Sequence, residues 1–363
     1  MRKSNNFQKP VNEHESQFKR FKNEIKLSIF KFYYLIITSQ LNISIFYFLL
    51  VSIEAIQIIS LIIFNFKFFE LESQNNYSTM PMLIYVIKKV AIIQPSNVNN
   101  SFALIISVGV VLMCFIIIII YTNKQEWTLI KNQKLFPLFF GCQVINLLLQ
   151  RIFFIPFFIG FFSLLQSNNN GTLRNYPDAL VNEITINNYV YIPIASICLT
   201  VFSVFIILNL LFFNDFKPVT LIPWAAPLNV SSTIQVVLKL ILAIFFVFDF
   251  GYIVIKAILV LLIVITLIIL RLVKPLYHNQ FFFNFETVLE GSFLFNTICS
   301  FIHIFDLLKL SYFSLSFQIL TSIGIGFIYL KIIVQIQTKL VESNVNIKIL
   351  NIITLLSLLS LFI

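Results

Sequence analysis

The 363-residue chain is 59% hydrophobic and 11% charged, against roughly 45–50% and 25% in soluble domains, which excludes a single water-soluble core. Its 25 Lys and Arg outnumber 15 Asp and Glu for a net charge of +10. With no nucleic-acid-binding motif beside it, this excess reads as a signal of membrane topology, with no nucleic acid as partner. The four cysteines, Cys114, Cys142, Cys198 and Cys299, each fall in an apolar run, which excludes a disulfide framework or zinc spacing and leaves them as small hydrophobes.

Residues 1–40 form a basic cytoplasmic segment before the first apolar run. Phe18, Phe21, Ile25, Ile29, Phe32 and Ile36 recur at spacings of three and four, with Lys19, Lys22, Lys26 and Lys31 off that stripe. The pattern predicts a basic amphipathic helix, lying either on the anionic cytoplasmic leaflet or on the inner end of the bundle itself. No small-residue cleavage site follows, so the first run is expected to be a retained signal anchor.

From there to the end, 41–363 reads as one multi-pass domain. Helices are expected at 43–65, 102–122, 136–165, 189–213, 233–251, 253–271, 286–308, 312–334 and 346–363, each near the length that crosses a hydrocarbon core about 30 Å thick. The last of these either spans or lies in the interface. The expected fold is therefore an all-α, polytopic transmembrane helical bundle of about eight or nine spans. The 43 Phe follow from A/T-rich codon usage rather than from a dedicated aromatic chemistry.

Charge sets the direction of the spans. Seventeen of the 25 Lys and Arg fall in the N-terminal segment and the loops on its side, five fall in the opposite loops, and Arg151, Lys239 and Lys256 lie within spans. The positive-inside rule then puts the N-terminus in the cytoplasm, in a membrane the sequence does not name. The sequons at Asn76, Asn99 and Asn170 fall in the loops this places outside, as candidate N-glycosylation sites, while the one at Asn229 falls inside.

Polar residues inside spans carry the little chemistry there is. A charge at mid-helix costs about 2.5–3.5 kcal/mol on insertion scales, so Glu54 in the first span and Arg151 in the third, at comparable depth, are expected to pair. The pair reads as a structural pin, with a gate or proton site as the functional alternative. Asp249 and Lys256 flank the Phe250-Gly251-Tyr252 turn and read as a hairpin charge pair near water. Lys239 is close enough to a helix end to snorkel. In the seventh run Glu286 with Glu290, and His303 with Asp306, sit one turn apart near opposite ends. At 1.5 Å per residue the two pairs are about 20 Å apart, too far for one metal site, and interfacial solvation accounts for them. Pro137, Pro156 and Pro193 can kink or break helices, and the long third run is expected to be tilted or broken near Pro156. Ser196 with Thr200, and Ser322 with Gly326, offer small residues where helices can approach closely.

No phosphate-binding loop, HExxH, CxxC or GxSxG is present, and no Arg-rich sensor span or selectivity-filter loop. No enzyme activity or cofactor is expected. The stretch Tyr47 to Gln57 (YFLLVSIEAIQ), Ile87 to Pro95 (IKKVAIIQP), the third run, and Phe212 to Asp215 leading to Ile222 to Pro227 (IPWAAP) resemble the membrane region of a ciliate family of multi-pass proteins related to the tiny macrocysts proteins, over most of residues 20–310. Many members of that family carry a PAS sensor domain after the membrane region. The resemblance implies a membrane module joined to a cytoplasmic sensory or scaffolding part, with no catalytic residues to carry over. The present sequence ends at Ile363, so PAS-dependent sensing does not carry over with it. The expected function is a non-enzymatic receptor-like or scaffolding module in the lipid bilayer. A transporter or channel using Glu54 and Arg151, or an accessory subunit bound to membrane-protein partners, are the alternatives.

Overall fold

A computed structural model describes residues 23–34, 44–65, 93, 95, 97–124, 136–165, 172–173, 176–212, 230–248, 253–273, 280–304 and 312–342. The described chain is helical apart from one short hairpin. Helix α1 covers 23–34, followed by α2 (Ser44–Asn65), α3 (Val98–Lys124), α4 (Phe136–Arg151) and α5 (Phe154–Leu165). Strands β1 (Thr172–Leu173) and β2 (Tyr176–Leu180) pair antiparallel, and then come α6 (Val181–Phe212), α7 (Val230–Val247), α8 (Ile253–Val273), α9 (Gln280–Ile304) and α10 (Tyr312–Glu342).

The chain divides into two compact units, Met1–Leu41 with Val111–Ile145, and Asn42–Val110 with Asn146–Ile363. In the first, the rings of Phe32 and Phe115 meet edge to face with centroids 5.9 Å apart. The expected stripe is only partly the buried one. Ile25 is exposed, whereas Ser28, Lys31, Phe32 and Tyr33 are buried. Tertiary packing chooses the face of α1, and the apolar periodicity does not decide it alone. The other stripe residues, Phe18, Phe21 and Ile36, lie outside the described residues.

The second unit is a helix bundle. α9 packs between α8 and α10 and also against α2, while α7 packs on α5, α8 and α2. Each helix turns a stripe at three- and four-residue spacing inward, such as Ala257, Val260, Val264 and Leu267 on α8 and Ile234, Leu238 and Leu242 on α7, all buried. The opposite faces are apolar too: Val254, Ile258 and Leu262 on α8 and Ile323, Phe327 and Ile328 on α10 stand exposed. Water would not tolerate faces of this extent, and a lipid hydrocarbon would.

Among the described residues five helices are long and apolar enough to cross a membrane, within α2, α3, α6, α8 and α10, or six if the bent pair α4 and α5 counts as one span. The sequence reading expects eight or nine. α7 has 18 residues and its apolar part is short for a span. α9 is long enough but carries Glu286, Thr287, Glu290, Ser292 and Asn296 on buried positions. The segment 346–363 lies outside the described residues.

Two local features shape the bundle. Asn97 caps α3, its Oδ1 accepting the Asn100 amide at 2.8 Å. Ahead of it Ile93 holds φ at 56°, a left-handed conformation that strains a β-branched residue. On α10, Gly326 lies so close to the Val288 carbonyl of α9 that a Cβ would collide with it, and Ser292 Oγ donates to the Ser322 carbonyl at 3.0 Å. The Ser322 and Gly326 spacing thus marks a close helix crossing. Ser196 and Thr200 instead donate back to Ile192 and Ser196 carbonyls of their own helix, and α6 meets α3 where Gly109 abuts Cys198.

Candidate functional site: a buried charge network

The third run is broken. α4 ends at Arg151, α5 begins at Phe154, and their axes bend by 53°. Pro156 explains part of this, because it has no N–H to donate to the Ile152 carbonyl four residues back and its ring crowds that carbonyl. The carbonyls released at the break find side chains from other helices. Gln57 Nε2 donates to the Ile152 oxygen at 3.4 Å, and Lys239 Nζ donates to the Gln150 oxygen at 3.0 Å. Cations are favoured there, since the C-terminal carbonyls of α4 carry partial negative charge.

Around this break a first cluster forms. Tyr47, Glu54 and Gln57 are spaced seven and three residues apart on α2 and so share one face. Arg151 Nη1 lies 2.5 Å from Glu54 Oε2, and Arg151 Nη2 donates to the Tyr47 hydroxyl at 2.5 Å. Lys239 Nζ lies 2.7 Å from the other Glu54 oxygen and 4.6 Å from the centre of the Phe154 ring. Glu54, Arg151 and Lys239 are all buried. Lys239 does not snorkel: its ammonium is held inward by a carboxylate, a carbonyl and a ring, three partners that replace water.

A second cluster joins α7, α8, α9 and α10. Arg271 of α8 grips Glu290 through two bonds, Nε to Oε2 at 2.9 Å and Nη2 to Oε1 at 2.5 Å, the forked geometry that makes such pairs strong. Its Nη2 is also 3.9 Å from Glu286 Oε2, which accepts from Gln235 Nε2 at 2.9 Å. Gln337 Nε2 of α10 donates to the Arg271 carbonyl at 2.7 Å. Glu286 and Glu290 are therefore buried partners of Arg271, not interfacially solvated as the sequence reading had them, and Arg271 is wholly buried in α8 instead of standing in an inner loop. Glu286 lies within electrostatic reach of Tyr47 and Lys239, which links the two clusters.

The sequence reading singled out Glu54 and Arg151 and missed Lys239, Arg271, Tyr47, Gln57 and Gln235 as their company. One signal was available: Gln235 with Lys239 and Glu286 with Glu290 are both i, i+4 pairs, so each helix presents two polar groups on one face. Lys256 is buried with its ammonium 5.9 Å from the Phe245 ring centre, while its expected partner Asp249 lies outside the described residues. So do Asn76, Asn170, Asn229, Asp306 and the side chain of His303. Asn99 is exposed in the first turn of α3 rather than in a loop, and Ser101, the hydroxyl residue of its sequon, is buried. Among the described residues no group of three or more His, Cys, Asp or Glu could hold a metal.

The apolar helices fit an integral membrane protein. Compared with protein families, curated proteins and solved structures, the chain matches none.

Proposed function

We propose that the chain is a non-enzymatic, multi-pass membrane module of receptor-like or scaffolding type, pinned internally by the charge network. One observation carries this reading. Glu54, Arg151 and Lys239 leave one positive charge in excess, Arg271, Glu286 and Glu290 leave one negative charge in excess, and the six together are buried and neutral. A closed, balanced set costs least inside a bilayer and holds α2, α4, α7, α8 and α9 in one register. We count α7 and α9 as crossing with their neighbours, which with 346–363 gives the eight or nine spans, and we place the N-terminus in the cytoplasm on the bias of Lys and Arg. The likeness of Tyr47 to Gln57 to the ciliate family supports the receptor-like part.

A transporter is the second reading, and the broken helix favours it. Discontinuous helices whose freed carbonyls meet buried charges are a recurring ion-site geometry in secondary transporters. Reconstitution into liposomes separates the two. No proton or monovalent-ion flux above that of empty vesicles is expected for the module, whereas a flux abolished by Glu54→Gln in a variant that stays monodisperse overturns it.

A further inference from the structure

A cleft of about 730 Å³ opens between α2, α9 and α10. Its walls include Ile56 and Ile59 of α2, Phe285 and Leu289 of α9, and Ile323 and Phe327 of α10. It follows α9 from Phe281 to Ser292, about 17 Å of helix. The tight crossing at Gly326 and Val288 holds α9 and α10 together along its length.

The polar atoms of the lining are distributed unevenly. At one end Ser292 Oγ is satisfied by the carbonyls of Val288 and Ser322, and on α2 Ser52 Oγ donates to the Phe48 carbonyl. These hydroxyls ask nothing of a ligand. At the other end, beside Phe281 and Leu330, stands Asn284, half-buried, whose amide makes no hydrogen bond to another described residue. Lys331, next in the chain to the lining residue Leu330, is exposed there as well. The cleft is thus hydrocarbon-like along its length, with a neutral donor and acceptor and a positive charge at one mouth. A pocket of this size, apolar with few polar groups, suits a small amphiphile, and a Lys beside the mouth favours an anionic head group.

We propose that the cleft seats one acyl chain of an anionic phospholipid, with its head group at Asn284 and Lys331. The proposal does not depend on whether the protein is a scaffold or a transporter. The full chain is purified from mixed phosphatidylglycerol and phosphatidylcholine nanodiscs and its retained lipid read by native mass spectrometry. One phospholipid per chain is expected, with phosphatidylglycerol favoured about fivefold, the effect of one Lys near the membrane surface. Ile323→Trp, which fills the cleft, is expected to lose the lipid. Lys331→Gln, an exposed position that does not disturb packing, is expected to keep a lipid and lose the preference. Equal retention of both lipids by the unaltered chain, or an undiminished preference in Lys331→Gln, overturns the proposal even if Ile323→Trp fails to fold. A dimer without lipid assigns the cleft to a second copy, and lipid that enters only after removal of the residues beyond Glu342 assigns it to the chain's own 346–363; either result overturns it.

Discussion

The two charge clusters solve the same problem by different means. Arg271 and Glu290 form a forked pair between side chains, and the nearby Glu286 is steadied by Gln235. The Glu54 cluster sits on a broken backbone and draws on it: one carboxylate holds two cations, and the surplus positive charge is met by the Gln150 carbonyl. A chain can therefore bury a cation in excess where a helix stops, because the stop supplies oxygens that carry no full charge. Each cluster is unbalanced alone, with Glu286 as their electrostatic link.

The largest expected effect breaks the second cluster. Arg271→Leu leaves Glu286 and Glu290 buried one turn apart with no cation, a loss of about 3–5 kcal/mol, visible as loss of a monodisperse peak or a large fall in thermal midpoint in detergent. Glu54→Leu, which strands two cations, belongs in the same range. If it proves mild, the backbone oxygens at the break carry more of the cluster than the carboxylate does. Lys239→Leu is expected to cost less, about 1–3 kcal/mol, since Glu54 keeps Arg151 and one carbonyl loses a donor. The combined swap Glu54→Lys with Arg151→Glu is expected to recover part of the loss of either single reversal; no recovery in thermal midpoint would show that the two side chains do not interact as a pair. Gln57→Leu is the smallest, about 1 kcal/mol, because it removes one long hydrogen bond to Ile152 and leaves every charge paired.

How much was legible depended on what each residue's meaning required. Glu54 and Arg151 stood out because each interrupts a long apolar run at similar depth, so their cost is visible in the sequence. Lys239 and Arg271 lie near the ends of their runs, where a long side chain can either reach water or turn inward, and only the neighbouring helices decide which. Glu286 and Glu290 were read one helix at a time, and a partner on α8 does not show in that reading. The stripe on α1 failed similarly: Ile25 fits the period, yet the packing buries Lys31 and leaves Ile25 exposed.

The sequence by itself determined the solvent. Apolar runs of membrane length set the class, because backbone polar groups in hydrocarbon must be satisfied within helices. The weak point of the third run was also local, since Pro156 removes a donor wherever it stands. The tertiary structure alone decided which charges meet, that the freed carbonyls of the break receive Gln57 and Lys239, and that α2, α9 and α10 leave a cleft between them. Those are contacts between segments far apart in the chain, and in a bilayer every outward face is apolar. Hydrophobic pattern therefore cannot report which face turns in, and packing and charge pairing must make that choice.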